Sequence, residues 1–389
     1  MNRPARPLPT LFDVVREWGR IGCVGFGGPP AHIALFRDLC VERTGWLDAG
    51  DFEDAIAACN LLPGPASTQL AIFCAWRVRG RRGALAGGLA FIAPGLVIIL
   101  GLAALFLAGS PPLWVRGVSA GAGAAVAAVA VHAARVLLSA HKRRDNNVSA
   151  GRRLGYLAFG ALAAATVGPW LVLVLLGCGA IELIAQTPRE HGTAFPAIAP
   201  IPFLAAGAVG SGVLISVVWV ALKVGALAYG GGFVIVPLMQ ADAVGRYHWM
   251  TNAQFLNAVA LGQVTPGPVV LTVAVVGYAA AGVGGALLAV AVAFAPSFGF
   301  ILFGARHFDR VRADRRARAF LDGAGPAAIG AILGSAIPLA LAIPEPWQYA
   351  VLAAAAVLLL VLKRGVVETL LLSGAVGGFA ALAGLRVAG

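Results

Sequence analysis

Long apolar runs, interrupted by glycine and proline clusters, dominate this chain. The runs near 83–108, 113–140, 154–168 and 170–186, and again near 286–303, 319–342, 346–362 and 366–385, are continuous rather than alternating. Continuous runs predict helices and argue against a β-barrel. One crossing of the hydrocarbon core takes about 20 apolar residues, so the chain has room for on the order of ten or more crossings. Composition agrees: 59% of residues are hydrophobic and only 12% charged, with a mean hydropathy of +0.86. A soluble domain of that make-up would expose too much apolar surface.

The pattern occurs twice. At an offset of 203 residues, Gly22, Gly27, Gly28, Trp46, Phe52, Pro63, Gly64 and Pro65 fall on Gly225, Gly230, Gly231, Trp249, Phe255, Pro266, Gly267 and Pro268 without a gap. We place an N-terminal repeat at 1–190, a Pro-rich linker at 191–202 and a C-terminal repeat at 203–389. In each repeat an apolar segment runs into a glycine cluster, a short arm follows, and a helix is stopped by Pro-Gly-Pro.

Charge then orients the copies. The loop with Arg77, Arg79, Arg81 and Arg82 corresponds to an uncharged stretch around Gly282–Gly285, whereas one helix later Gly109–Pro112 is neutral and its counterpart carries Arg306, Arg310, Arg312, Arg315, Arg316 and Arg318. Short basic loops stay cytoplasmic, so equivalent loops lie on opposite faces. The expected fold is an all-α polytopic membrane protein of two inverted-topology repeats with broken helices, the plan that places a transport site at mid-membrane. With a cytoplasmic N-terminus, the inverted second half needs one extra crossing between 187 and 212.

The net charge of +12 resides in these loops, so no nucleic acid partner is expected; the lipid bilayer is. Cys23, Cys40, Cys59, Cys74 and Cys178 show no paired spacing and read as packing residues. The first 20 residues hold four arginines and no compact apolar core, unlike a cleavable signal peptide. Asp38, Glu42, Asp48, Asp51, Glu53 and Asp54 read as a solvated loop face, and the matching stretch around Asp242 to Gln254 as almost neutral.

The breaks carry the candidate chemistry. Pro-Gly-Pro cannot continue a helix, and Pro65 and Pro268 should each open a new one. Free amides are then expected at Ala66, Ser67, Thr68 and Gln69, and at Val269 to Thr272. Such helix starts attract anions. Gly27 and Gly28, with Gly230, Gly231 and Gly232, form a second break in each half. Packing alone is the competing reading of these glycines.

Lys223 lies in an apolar run, where a cation costs about 2.5–3.5 kcal/mol on insertion scales. Its mate is Arg20, and a dianion is the natural partner of the two. Arg20 could instead snorkel or pair with Glu17. The mates Asn60 and Gln263 offer neutral amides, and Ser67, Thr68, Gln69, Thr265 and Thr272 offer hydroxyl and amide groups, unless they bond back to the preceding turn. His32, whose mate is Ile235, reads as a polar lining group rather than a proton site. No cluster has metal spacing, no cofactor motif is present, and no nucleophile has an adjacent base, so neither a metal, a cofactor nor enzymatic catalysis is expected.

The strings GFGGPPAHIALF (25–36), NLLPGPASTQLAIF (60–73), GGGFVIVPLMQADAV (230–244) and QVTPGPVVLTVAVVGYAAAG (263–282) resemble the chromate ion transporter family across both halves. The resemblance implies a bacterial inner-membrane, multi-pass exporter of chromate with sulfate as an analogue. It points to Gly27, Gly28, Pro63, Gly64, Pro65, Ser67, Thr68, Gln69, Gly230, Gly231, Gly232, Pro266, Gly267 and Pro268 as functional stretches. The expected function is secondary transport of chromate and sulfate-like tetrahedral oxyanions by alternating access. The alternatives are a sulfate or organic-anion carrier of the same fold and a membrane enzyme acting on lipid phosphates. A homo-oligomer is a further candidate assembly.

Overall fold

The structure, a computed structural model, describes residues 9–59, 62, 64–109, 111–142, 148–166, 171–186, 212–228, 234–304 and 314–387. Its described residues form an all-helical protein with no strand. The first half runs α1 (Leu11–Val24), α2 (Pro29–Arg37) with a π-helical turn (Asp38–Arg43), α3 (Ala49–Cys59), α4 (Ala66–Phe106), α5 (Leu113–Ala124), α6 (Val126–Lys142), α7 (Ala150–Thr166) and α8 (Leu171–Gln186). The second runs α9 (Val213–Leu227), α10 (Ile235–Gln240) with a π-helical turn (Ala241–Arg246), α11 (Asn252–Val264), a 3₁₀ turn (Val269–Leu271), α12 (Thr272–Gly304), α13 (Arg315–Leu341), α14 (Pro346–Ala356) with a π-helical turn (Val357–Val361), and α15 (Val366–Leu382).

Among the described residues four stretches are long and apolar enough to cross a membrane: Ala66–Phe106, Leu113–Ser139, Val269–Gly304 and Arg315–Leu341. Two of them are folded. α4 turns back at Arg79–Gly80 and α12 at Ala281–Gly282, where both glycines take φ +61°, ψ −152°, a region essentially closed to residues with a side chain. Ala75 O then lies 2.3 Å from where a Gly83 Cβ would stand, and Gly277 O 2.3 Å from that of Gly285, so the arms of each hairpin touch.

The shorter helices also pair as hairpins. Trp18 of α1 meets Phe36 of α2 at 5.5 Å between ring centroids and stacks on Trp46 at 6.4 Å, which folds α2 back along α1. Asp51 near the start of α3 pairs with Arg77 near the end of the first arm of α4, so α3 and that arm run antiparallel with the Pro-Gly-Pro break at their tip. An 11-residue helix such as α3 is about 17 Å long, short of the ~30 Å hydrocarbon core. Counting crossings from chain length alone therefore overcounts, because these arms enter and return.

The repeat shifts register once. Gly64 and Gly267 stand 203 apart, yet the matching hairpin glycines Gly80 and Gly282, and the helix prolines Pro94 and Pro296, stand 202 apart. The cause is the 3₁₀ turn Val269–Leu271. It rises about 2.0 Å per residue against 1.5 Å in an α-helix, so three such residues make up the length of one missing α-helical residue.

The halves exchange their last helices: α8 and α7 pack on α13, while α15 packs on α5. Small residues permit it, as membrane packing requires. Gly330 and Gly334 of α13 approach Leu157 O and Ala161 O of α7, and Gly121 of α5 approaches Ser373 O of α15, all at about 2.0–2.1 Å from a would-be Cβ. The acidic loop face is solvent-exposed as expected at Glu42, Asp48, Asp51, Glu53 and Asp54, and it carries surface ion pairs: Arg37 with Glu53 at 2.5 Å and with Glu42 at 3.7 Å, Arg43 with Asp38 at 3.8 Å, and Arg77 with Asp51. The linker at 191–202 and most of the stretch expected to hold an extra crossing lie outside the described residues.

Candidate functional site

The breaks of the two halves meet crosswise. The α1–α2 tip of the first half touches the Pro-Gly-Pro of the second: Gly267 N–H donates to Gly25 O at 2.9 Å, and a Cβ at Gly28 would stand 3.8 Å from Val269 Cγ2. The Pro-Gly-Pro of the first half touches the α9 arm of the second, where the would-be Cβ of Gly64 stands 3.3 Å from Gly225 O. Gly22 and Gly225, the repeat mates on the two arms, lie against the long segments of α4 and α12, 2.5 Å from Phe91 O and 2.1 Å from Ala293 O by the same measure. Glycine is required at Gly22 and Gly225 because any side chain there would collide with backbone.

His32 braces the first tip. It is fully buried, its Nε2 lies 2.9 Å from Gly25 O, and its ring meets Phe91 edge-on at 5.0 Å. A carbonyl only accepts, so Nε2 carries the proton and Gly25 O holds two donors, one from each half. His32 Nδ1 has no partner.

At the first Pro-Gly-Pro, Pro65 is the extended residue capping α4 rather than its first helical residue. The amides of Thr68 and Gln69 both donate to Pro65 O at 3.0 Å, so of the four amides expected to be free only those of Ala66 and Ser67 lack an intrahelical acceptor. Ser67, Thr68 and Gln69 are buried, Thr68 Oγ1 has no partner, and Gln69 Nε2 stands 2.7 Å from the would-be Cβ of Gly64. At the second, Pro268 caps the 3₁₀ turn, and Leu271 N–H donates to Pro268 O at 2.9 Å. Thr265 and Thr272 bond back to Leu261 O (2.6 Å) and Val269 O (2.8 Å), which leaves those hydroxyls committed. Gln263 Nε2 is buried without a partner. Pro266 O faces Gly95 of α4, 2.3 Å from a would-be Cβ.

The paired cations part company. Arg20, with a side chain 48% exposed, pairs with Glu17 at 3.1 Å, so its guanidinium turns outward instead of joining the breaks. Lys223 is 7% exposed and pairs with Asp242 of the α10 π-turn, under a cation–π contact to Trp219 at 5.4 Å. The dianion expected as its partner is preceded by a carboxylate of the protein. Asp242, 1% exposed with Oδ1 unpartnered, was hidden in a stretch that reads as almost neutral. Its signal is its place in an apolar run, the argument that singles out Lys223. Ser297 is the other residue the sequence reading passes over: fully buried, hydroxyl unpartnered, 3.1 Å from the would-be Cβ of Gly64. Asn60, Pro63, Gly230, Gly231 and Gly232 lie outside the described residues. Among the described residues no His, Cys, Asp and Glu group is placed to hold a metal.

Comparison with known proteins follows the same two stretches. The pattern of the family described as Chromate transporter matches residues 12–183 and 215–381. The chromate transport protein of Cupriavidus metallidurans is 33% identical over 95% of this chain and 92% of its own length. A probable chromate transport protein of Synechococcus elongatus is 29% identical over 86% and 85%, and an uncharacterized transporter of Methanocaldococcus jannaschii 27% identical over 96% and 95%. No solved structure matches. With both halves matched and a relative 33% identical along most of its length, the chain belongs to the chromate transporter family.

Proposed function

We propose that this protein is a secondary transporter that moves chromate, and sulfate-like tetrahedral oxyanions, out of the bacterial cytoplasm across the inner membrane, without catalysis. The observation that carries the reading is the crosswise meeting of the breaks, Gly267 N–H on Gly25 O and Gly64 beside Gly225 O. Non-helical backbone within a membrane is tolerated where it is buried in protein or lines a wet cavity. Here Ser297 Oγ, buried without a partner, stands beside Gly64, and Thr68 and Gln263, each with an unpartnered buried polar atom, lie within four residues of Gly64 and Gly267 along the chain. Neutral donors at helix starts suit an oxyanion by charge and shape.

The two halves act as inverted repeats in alternating access, rocking about this junction. The exchange of equivalent contacts supports that: each Pro-Gly-Pro touches the other half's glycine arm. Expelling a dianion from a cell negative inside is favoured by about 4.6 kcal/mol per 100 mV, so voltage alone can drive export.

Flux of labelled chromate and sulfate into and out of liposomes holding the purified protein, at set pH and voltage, tests the proposal. Saturable, voltage-driven chromate flux with sulfate competing is expected. Flux of an organic anion with none of chromate would overturn it.

A further inference from the structure

The two Pro-Gly-Pro breaks are not chemically equivalent. At the first, Gly64 takes a left-handed φ of +121°, and the place its Cβ would fill is ringed by Gln69 Nε2, Ser297 Oγ and Gly225 O at 2.7, 3.1 and 3.3 Å. Ser297 and Thr68 are both 0% exposed, and neither hydroxyl has a hydrogen-bond partner. Buried hydroxyls left unpaired are costly and uncommon. Ser297 Oγ stands beside Gly64, and Thr68 lies in the first turn of the helix that follows, whose first amides lack intrahelical acceptors.

The second break lacks this pair of hydroxyls on its exit side. Val270 and Leu271 stand at the positions of Ser67 and Thr68, and Thr272 spends its hydroxyl on Val269 O. Gly95, which matches Ser297 at the 202-residue offset, has no side chain and no room for one, with Pro266 O only 2.3 Å from a would-be Cβ. Gln263 Nε2 is unpartnered there, but it belongs to the helix that enters the break.

We infer that the oxyanion docks asymmetrically beside Gly64, at the first Pro-Gly-Pro break, and that Ser297, supplied by the second half, is a binding residue that donates its hydroxyl to the ion together with Thr68. The inference rests on the oxyanion reading above and adds where the ion sits. Because Thr68 and Ser297 belong to different halves, a rocking motion that parts α12 from α4 removes one donor and weakens the hold on the ion.

The test is Ser297→Ala, read as KM for labelled chromate in liposomes and as sulfate affinity of the detergent-purified protein by calorimetry. A hydrogen bond to a charged partner is worth roughly tenfold or more in affinity, so KM and the sulfate dissociation constant should each rise about tenfold. Thr68→Val should act in the same direction. Ser335→Ala, whose hydroxyl bonds Ile332 O at 2.7 Å, should leave both unchanged. If Ser297→Ala fails to reach the membrane, Ser297→Cys, close in shape with a weaker donor, should still weaken sulfate binding several-fold. Unchanged affinity in a folded Ser297 variant would overturn the inference, as would a fall in Vmax with KM intact. Sulfate binding by a wild-type chain that transports nothing would separate a failure of the transport reading from a failure of this one.

Discussion

The Gly25 carbonyl accepts the Gly267 amide at 2.9 Å, joining two residues 242 positions apart through backbone alone. Each lies at the point where its own helix is interrupted. The bond closes a polar group that a broken helix would otherwise leave exposed in an apolar interior, and it makes the geometry of one half's break depend on the other half.

Gly25→Ala tests that junction. A Cβ there would lie 2.7 Å from both His32 Cδ2 and Ile21 O, and overpacking of this kind typically costs about 1–3 kcal/mol. A lower melting temperature and loss of chromate flux are expected; wild-type behaviour in both would show that the junction yields freely.

His32 should be a brace and not a substrate ligand. His32→Ala removes the second donor to Gly25 O and leaves a void beside Phe91, so stability should fall by about 1–3 kcal/mol. A variant that retains a side-chain N–H, His32→Gln, should recover part of it. Thermal melts of the purified protein decide this, and equal melting temperatures for the two variants would refute the bracing role.

Lys223 and Asp242 should be coupled. Removing one member of a buried ion pair costs about 3–5 kcal/mol because the other charge is stranded, whereas an apolar replacement of both is often tolerated. Lys223→Ala should therefore reduce the amount of folded protein in the membrane, and Lys223→Met with Asp242→Leu should restore it. Flux in the restored protein then separates a structural pair from a site: flux at the wild-type rate would exclude Lys223 from transport.

Tyr156 and Glu182 offer a contrast away from the breaks. The Tyr156 hydroxyl donates to Glu182 Oε2 at 2.8 Å, and the buried carboxylate also accepts from Gln186 at 2.8 Å and pairs with Arg152 at 3.4 Å. Tyr156→Phe should lower stability by about 1.5–3 kcal/mol, the worth of a hydrogen bond to a charged group. KM for chromate should not move, and a changed KM would bring this network into the transport cycle.

Much of the fold is legible in the residues because it depends on neighbours along the chain. Apolar runs predict the long helices to within a few residues: the run near 319–342 becomes α13 at Arg315–Leu341, and that near 366–385 becomes α15 at Val366–Leu382. The Pro-Gly-Pro and glycine motifs mark breaks because proline and glycine act on their own turn of backbone. The turns at Arg79–Gly80 and Ala281–Gly282 fall in or next to the loops read at Arg77–Arg82 and Gly282–Gly285, whereas the contact between the two arms of each hairpin rests on residues that only the fold brings together.

What the sequence determined by itself is a duplicated, helical membrane chain with paired interruptions and a family membership carried by their motifs, since hydrophobicity and backbone freedom are properties of local segments. Tertiary structure decided which interruption meets which, that Lys223 faces Asp242 while its mate Arg20 turns to Glu17, and that Ser297 reaches Gly64. Those outcomes depend on how each helix is rotated about its axis and packed against residues far away in the chain, and one degree of rotation leaves no trace in composition or spacing.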